Sequence, residues 1–150
     1  MLFRSVSQSR YGRGKRCLIV EDGPTLTHGE MKIGAGTVAA RKFGASQEVD
    51  ARPYLVGKLK ETYEIYPNIG CVLPAMGYGE QQLHDLEKTI NSTDCDTVII
   101  GTPIDLQRII DIKKPCARVF YDLAEIGKPD LDGVLSEFVA SRVGVKMASK

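Results

Sequence analysis

The sequence contains no tryptophan and only two histidines among 150 residues. Its four cysteines, Cys17, Cys71, Cys95 and Cys116, include no pair with the C-x-x-C spacing that is typical of zinc sites and redox dithiols. No apolar run approaches the roughly 20 residues that cross a bilayer, and the first ten residues lack the apolar segment of a secretory signal. We therefore expect reduced thiols in a cytoplasmic protein that has no membrane partner.

Positive charge is concentrated at the two ends of the chain. Residues 1–16 hold five basic side chains and residues 139–150 hold three, and neither end carries an acid. The remainder has 12 basic against 19 acidic residues, a formal charge of about −7. Nucleic-acid binding needs positive charge clustered on a folded face, so we expect no nucleic-acid partner. We expect disordered tails over residues 1–15 and 142–150.

Residues 16–141 have the pattern of one α/β domain. Hydrophobic residues make up 43% of the chain and charged residues 26%, which is ordinary for a globular protein. The apolar runs that predict strands lie at 16–21, 47–50, 70–73, 96–100 and 116–121. The helical patterns lie at 35–43, 55–65, 80–91, 103–110 and 129–141. This alternation predicts a three-layer, Rossmann-like fold with a parallel sheet of about five strands.

The most informative stretch is the long loop between Glu21 and Gly36. It follows an apolar run, begins with Glu21 and Asp22, and ends where a helix opens at Gly34-x-Gly36. Right-handed crossovers place the loops that follow parallel strands on one edge of the sheet, and ligands bind at that edge in open α/β folds. Long loops in compact domains are often functional. We therefore expect the binding site at this edge.

Other loops predicted at the same edge are rich in glycine, proline, threonine and acids, a composition that suits phosphate or another anion. They are residues 50–53, 74–79, 101–105 and 121–122. Arg52 and Arg118 are the candidates for gripping the anion, with surface ion pairs as the alternative. Tyr54, Tyr78 and Tyr121 flank these loops and either wall a pocket or pack at the strand ends.

Two glycine patterns resemble nucleotide-binding motifs without matching them. Residues 34–39 fit G-x-G-x-x-A, and Asp50 follows, but more than ten residues separate the first glycine from the preceding strand. That spacing argues against NAD or FAD binding. Residues 12–15, Gly-Arg-Gly-Lys, precede a strand and lack the G-x-x-x-x-G-K-[ST] spacing of a P-loop.

His28 is the candidate for proton chemistry. It lies between Thr27 and Gly29 in the long loop, where an imidazole could act as general base, phosphate ligand or metal ligand. The alternative is a histidine that shapes the loop. Acids at the same predicted edge either hold Mg²⁺ together with substrate phosphates or cap turns and helices. These acids are Glu21, Asp22, Asp50 and Asp105.

Five ordered segments together resemble one archaeal and bacterial family. They are residues 20–29 (VEDGPTLTHG), 34–36 (GAG), 52–57 (RPYLVG), 72–78 (VLPAMGY) and 101–106 (GTPIDL). They resemble the carboxyl-terminal region of cyclic 2,3-diphosphoglycerate synthetase and of its relatives described as predicted GTPases. The resemblance extends over residues 16–138.

That resemblance implies a longer parent protein, in which a P-loop region uses ATP and Mg²⁺. The synthetase joins the two phosphates of 2,3-bisphosphoglycerate into an internal phosphoanhydride. Since this chain has no P-loop, we expect it to be inactive alone, as a fragment or a separate subunit. Its expected partners are a phosphorylated small acid, a P-loop domain or subunit and, as an option, a second copy. The alternative is a non-catalytic dimerisation or docking module.

The resemblance also selects the site residues. We expect His28 and Asp22 to be catalytic. The positions expected to bind substrate or anion are Thr25, Thr27, Gly34, Gly36, Arg52, Thr102 and Asp105. We expect no metal ion and no cofactor to be held by this chain itself.

Overall fold

The computed structural model describes residues 2–3, 12–28, 31, 33–122 and 127–147. The chain divides into two compact units, one formed by Phe3–Phe120 and the other by Met1–Leu2 with Tyr121–Lys150. No helix among the described residues has the length and apolarity needed to cross a bilayer.

Strands and helices alternate along the described chain. The strands are β1 (Leu2–Phe3), β2 (Arg16–Asp22), β3 (Gln47–Glu48), β4 (Leu73–Ala75), β5 (Thr97–Ile100), β6 (Cys116–Arg118) and β7 (Tyr121–Asp122). The helices are α1 (Gly23–Thr27), α2 (Ala35–Lys42), α3 (Lys58–Ile65), α4 (Glu80–Ser92) and α5 (Leu131–Met147). Single 3₁₀ turns form at Arg52–Tyr54, Pro67–Ile69 and Leu106–Arg108.

Five of the strands, β2 to β6, form one parallel sheet, which confirms the predicted α/β fold. One side of β2 pairs with β5, with Val20 opposite Ile100. The other side of β2 pairs with β3 near its start and with β4 near its end. β6 then pairs with β5 and completes the sheet. The strand order therefore changes direction between β2 and β5, where open α/β sheets bind their ligands.

The sheet forms around β2 because that strand is apolar on both faces. Its residues Cys17 to Val20 are at most 1% exposed, as expected for a central strand of a parallel sheet with helices on both faces. Leu59 of α3 and Leu86 of α4 join the same core. Burying such side chains contributes roughly 1.5 to 3 kcal/mol each.

Two predicted elements differ from the structure. The strand predicted over residues 70–73 forms instead at Leu73–Ala75, so Pro74 lies within β4, opposite Glu21. β4 pairs with β2 alone, so the missing proline N–H costs no ladder hydrogen bond. The helix predicted over residues 103–110 forms only the turn Leu106–Arg108. The Thr102 hydroxyl accepts the Ile104 N–H at 3.4 Å, and such local bonds compete with helix formation.

The predicted ends of the domain also differ from the structure. β6 ends at Arg118, earlier than the predicted residue 121, while α5 continues to Met147 instead of ending near residue 141. Within the two predicted tails, residues 1, 4–11 and 148–150 lie outside the described residues, so the prediction of disorder there stays a prediction.

All four thiols are buried or half-buried and free. Burial raises the pKa of the Cys17 and Cys116 thiols to about 11, and it also raises the pKa of Cys71 and Cys95. A reactive cysteine needs a lowered pKa, which stabilises the thiolate. The cysteines therefore act as small buried side chains rather than nucleophiles.

The start of α3 is held by a carboxylate from another helix. Asp85 of α4, only 5% exposed, accepts the Lys58 N–H at 3.1 Å and the Gln81 side-chain amide at 2.9 Å. Gly57 precedes α3 with φ +53°, and a Cβ added there would overlap the Asp85 carboxylate. A glycine is required at this position both by the backbone angle and by the close approach of Asp85.

We predict that Gly57→Ala destabilises the domain by clearly more than Gly70→Ala. Both glycines have positive φ and similar ψ, at −135° and −141°, but a Cβ on Gly70 would meet nothing within 4 Å. Gly70→Ala therefore measures the backbone strain alone, about 1 to 3 kcal/mol. Gly57→Ala adds the displacement of Asp85, which leaves buried polar groups unpaired at a further cost of about 1 to 3 kcal/mol.

Urea unfolding followed by circular dichroism measures both free energies of unfolding. Equal losses in the two variants would show that Asp85 does not hold the start of α3.

Candidate functional site

The carboxyl end of β2 carries a buried carboxylate that caps α2. Glu21 is 1% exposed, and its Oε1 accepts the Thr37 N–H at 2.7 Å and the Thr37 hydroxyl at 2.8 Å. Its Oε2 accepts the Gly36 N–H at 3.1 Å. A negative group at a helix N-terminus satisfies unpaired N–H groups and interacts favourably with the helix dipole. Glu21 thus fills the position where an anionic ligand would bind.

The glycines of this region make room for Glu21. A Cβ added to Gly101 would lie 2.5 Å from Glu21 Oε2 and 2.6 Å from the Gly36 nitrogen, and one added to Gly34 would collide with the same carboxylate. Gly101 also donates its N–H to the Val20 carbonyl at 2.7 Å. The space between the ends of β2 and β5 is therefore closed by protein atoms.

This closure accounts for the G-x-G-x-x-A pattern of residues 34–39 without a dinucleotide. In the dinucleotide fingerprint, glycines permit the backbone to approach a pyrophosphate at the helix start. Here Gly36 donates its N–H to Glu21 instead. The predicted anion-binding role of Gly34 and Gly36 stays a prediction, and it requires Glu21 to leave the helix start.

Asp22 and Thr25 are bonded to each other. Asp22 is the N-cap of α1, and its Oδ2 accepts the Thr25 hydroxyl at 2.8 Å and the Thr25 N–H at 3.3 Å. Pro24 occupies the first turn, where its missing N–H costs nothing. These contacts give Asp22 a structural role as a helix cap, and its predicted catalytic role stays untested.

His28 contacts the side chain of its neighbour Thr27. The Thr27 hydroxyl donates to the Gly23 carbonyl at 3.0 Å and lies 2.7 Å from His28 Nδ1. With the single hydroxyl proton assigned to the Gly23 carbonyl, Thr27 accepts from His28 and the imidazole proton lies on Nδ1. The neutral imidazole then presents Nε2 as a free lone pair. That geometry suits a general base or a hydrogen-bond acceptor for a ligand.

Two clefts adjoin α3 on the side where Tyr66 lies. The larger has a volume of about 610 Å³ and the smaller of about 280 Å³, and Ile65 and Tyr66 line both. The Tyr66 ring is 6.2 Å from the His28 ring. His28 therefore lies near a residue that lines both clefts, although it lines neither cleft itself.

The two clefts differ in the character of their walls. The larger is bounded by Leu26, Thr27, Met31, Ile65, Tyr66, Pro67, Asn68 and Ile69. The smaller adds polar and charged groups from α3 and α4, chiefly Lys58, Glu61, Gln82 and Asp85. Among these lining residues the charges are two acids and one base. The clefts are consequently apolar at one end and weakly acidic at the other.

A separate polar group lies at the ends of β5 and β6. The Tyr78 and Thr102 hydroxyls are 2.9 Å apart. Asp105 and Arg118 form an ion pair with 3.0 Å between their charged atoms. Arg118 also donates to the Pro103 carbonyl at 3.1 Å, and its guanidinium lies 4.9 Å from the Phe120 ring centre. Among the described residues, Asp105 Oδ1 and Arg118 Nε are buried without a hydrogen-bond partner.

Arg52 lies apart from this group. It makes an exposed ion pair with Asp50 at 2.6 Å, and the Arg52 guanidinium lowers the pKa of Asp50. Asp50 follows β3, which lies across β2 from β5 and β6. The fold therefore does not bring Arg52 together with Thr102 or Asp105, although the sequence predicted all three at the same edge of the sheet.

The four acids expected at the edge do not converge. Glu21 bonds α2, Asp22 bonds Thr25, Asp50 pairs with Arg52 and Asp105 pairs with Arg118. In the described part of the chain, no group of three or more histidines, cysteines or acids is placed to hold a metal ion.

The described residues do not fit ATP or its Mg²⁺. The Gly12–Lys15 turn precedes β2, so it cannot cradle phosphates as a loop after a strand does. Glu21 occupies the N-terminus of α2. We therefore assign no step of nucleotide chemistry to this chain.

Tyr66 and Asp85 are site residues that the sequence did not reveal. Tyr66 follows α3 at helical spacing from Leu59 and Tyr63, which is a core pattern. Asp85 interrupts the apolar face of α4 beside Leu86. An acid in an otherwise apolar helix face is the one local signal that was available.

Comparison with known proteins finds one strong similarity. A segment of 126 residues is 59% identical to the arginine synthetase ArcE of Thermococcus kodakarensis. The match covers 84% of this chain but only 28% of that protein. This chain is therefore similar to part of a larger synthetase. No protein-family model matches the chain, and no solved structure matches it.

We predict that Glu21→Ala destabilises the domain by about 3 kcal/mol or more, because it leaves several buried donors unpaired. Glu21→Gln keeps the shape but replaces one acceptor oxygen with a donor, so its loss should be smaller. Urea unfolding measures both. Glu64→Ala is the matched control, since Glu64 is exposed on α3. A Glu21→Ala variant as stable as Glu64→Ala would refute the capping role.

Proposed function

We propose that this chain is an accessory domain of an ATP-dependent synthetase. In this proposal it holds a small-molecule substrate while a P-loop region, in the same longer protein or in a separate subunit, activates the reaction with ATP and Mg²⁺. In this proposal the chain has no activity alone, because its sequence contains no P-loop motif. The observation that carries the proposal is the Gly23–Thr27–His28 hydrogen-bond chain beside the Tyr66 clefts. The similarity to part of a larger synthetase supports it independently.

His28 acts in this proposal as the base for the attacking group. In this role Thr27 accepts the Nδ1 proton, and Nε2 accepts a proton from a nucleophilic nitrogen or oxygen. The Tyr66 ring lies 6.2 Å from the imidazole, on the side of the clefts. Thr27 is then a positioning residue, and Asp22 and Thr25 secure the short helix that precedes it.

The charges of the clefts support a ligand with a cationic end. Lys58 is the one base among the lining residues, against Glu61 and Asp85. A bisphosphorylated acid carries several negative charges and would need several cations. A guanidinium or ammonium group would instead be attracted by the exposed Glu61 carboxylate and by the Tyr66 ring. The relative's name, arginine synthetase, is consistent with such a ligand. We therefore favour a substrate or product related to arginine.

A phosphorylated small acid is the second candidate ligand. The resemblance to cyclic 2,3-diphosphoglycerate synthetase suggests it, and Arg118, with its unpartnered Nε, is the observation that favours it. Under this alternative the anion binds near Thr102 and Arg118, and phosphoanhydride formation follows at the P-loop region.

We predict that arginine binds the isolated chain and that Glu61→Gln weakens it by at least about fivefold, since the variant removes one carboxylate that attracts the cation. Glu64→Gln is the control, because Glu64 lies on the same helix but does not line the clefts. Calorimetry with arginine and with 2,3-bisphosphoglycerate measures both ligands. If the chain binds 2,3-bisphosphoglycerate but not arginine, and Arg118→Lys loses that binding, the phosphorylated acid is the ligand and the arginine proposal is wrong.

We predict that His28→Asn lowers kcat by roughly 100-fold with little change in KM, as loss of a general base does. Asparagine keeps an N–H donor for Thr27 and removes the free Nε2. The assay uses the Thermococcus synthetase with its matched segment replaced by this chain, which 59% identity makes practicable. The control is His84→Asn, the other histidine of the chain, which is exposed on α4. An unchanged kcat in His28→Asn would end the base proposal.

A further inference from the structure

The polar end of the smaller cleft carries side chains of both charge signs. Lys58 and Glu61 lie three residues apart on α3, which places them on the same side of that helix, and Gln82 of α4 lines the same cleft. Asp85 lines it as well, but its two oxygens already accept the Lys58 N–H and the Gln81 amide. A site with donors and acceptors of both signs suits a zwitterion better than a simple anion.

Three of these side chains are available to a ligand. In the described part of the chain, the Lys58 ammonium, the Glu61 carboxylate and the Gln82 amide nitrogen have no protein partner. The Gln82 oxygen accepts the Gly79 N–H at 3.2 Å, which leaves the amide nitrogen as the donor. An ammonium and an amide N–H together can hold a carboxylate, and a carboxylate can hold an ammonium group.

Helix α3 sets the direction in which such a ligand lies. Lys58 begins the helix and Tyr66 directly follows its end, so the two are about 12 Å apart along the axis. Tyr66 lines both clefts and its ring is 6.2 Å from the His28 ring. A ligand with its charged head at Lys58 therefore extends its other end toward Tyr66 and His28.

We propose that the smaller cleft binds the head group of a free α-amino acid. Lys58 and Gln82 hold its carboxylate, and Glu61 holds its ammonium group. The amino-acid side chain then follows α3 to Tyr66, where a guanidinium contacts the ring. The cleft volume of about 280 Å³ is at the lower end for small-molecule sites, which suits a single amino acid. This inference rests on the proposed function, since it specifies how the arginine-related ligand lies in the same clefts.

Calorimetry of the full chain with arginine and with agmatine tests the head-group contacts. Agmatine is arginine without its carboxylate, so it keeps both cationic groups. We expect arginine to bind at least about tenfold more tightly than agmatine, because only arginine makes the charge-assisted hydrogen bonds to Lys58 and Gln82. A chain that binds the two ligands equally overturns the inference and leaves the proposed function standing.

Gln82→Glu separates ligand binding from folding. Glutamate keeps an oxygen for the Gly79 N–H, so the start of α4 retains its cap, but an acidic oxygen replaces the amide donor. We expect arginine to bind about tenfold more weakly and agmatine to bind at least as tightly, since the new charge repels only a carboxylate. Equal weakening of both ligands would mean that Gln82 shapes the cleft without contacting the carboxylate, and it would overturn the inference.

Lys58→Met removes the ammonium group and keeps most of the aliphatic stem. We expect it to weaken arginine binding about tenfold without weakening agmatine binding. Lys60→Met is the control, because Lys60 is exposed and lies about 200° around α3 from Lys58. If neither Lys58→Met nor Gln82→Glu changes the ratio of the two affinities, the carboxylate contacts are wrong.

Free glutamine and free lysine, titrated in parallel, separate this inference from the proposed function. If one of them binds where arginine does not, and Gln82→Glu weakens that binding, the head-group contacts hold and the arginine-related ligand is wrong. If none of these amino acids binds the chain, the inference and the arginine-related ligand are both wrong.

Discussion

The carboxylate of Glu21 at the start of α2 is the constraint on which the arrangement of the sheet edge depends. It accepts the N–H groups of Gly36 and Thr37 in the first turn of that helix. It also requires glycine where the neighbouring backbone approaches it, at Gly34 and Gly101. The space where the strand order changes direction is thereby closed. In most open α/β folds that space binds the ligand. Two clefts lie beside α1 and α3, and Tyr66 lines both.

A buried carboxylate at a helix start is used twice in this domain. Asp85 accepts a backbone N–H at the start of α3, as Glu21 does at the start of α2. In both places a glycine leaves room for the carboxylate. In both cases a residue remote in sequence supplies the cap, so the helix starts only when the tertiary structure forms. Helices capped in this way stabilise the native arrangement of strands rather than isolated segments. The caps also remove two sites that would otherwise attract phosphate.

The sequence was sufficient for the sheet because β2 and β5 are continuous apolar runs, which central parallel strands require. The sequence was not sufficient at Pro74 and over residues 103–110, where pairing in the folded chain decides the outcome. Pro74 reads as a strand end, yet it is tolerated because β4 pairs on one side only. Residues 103–110 read as a helix, yet Thr102 binds the Ile104 N–H, and the segment forms a single turn. Local propensity cannot anticipate either pairing.

The candidate site shows the same division. His28 could be singled out because a histidine in a long glycine-rich loop is unusual, but its contact with Thr27 is one that no pattern reveals. Two physical explanations fit the G-x-G pattern: the close approach of a pyrophosphate or the close approach of a carboxylate. The sequence spacing argued against the first but could not reveal the second. The contacts of Glu21 supply the second cause. In the proposed function the ligand binds on the flank, beside α1 and α3, and another part of a longer protein binds the nucleotide. The flank is the site that the proposal uses because Glu21 already occupies the start of α2.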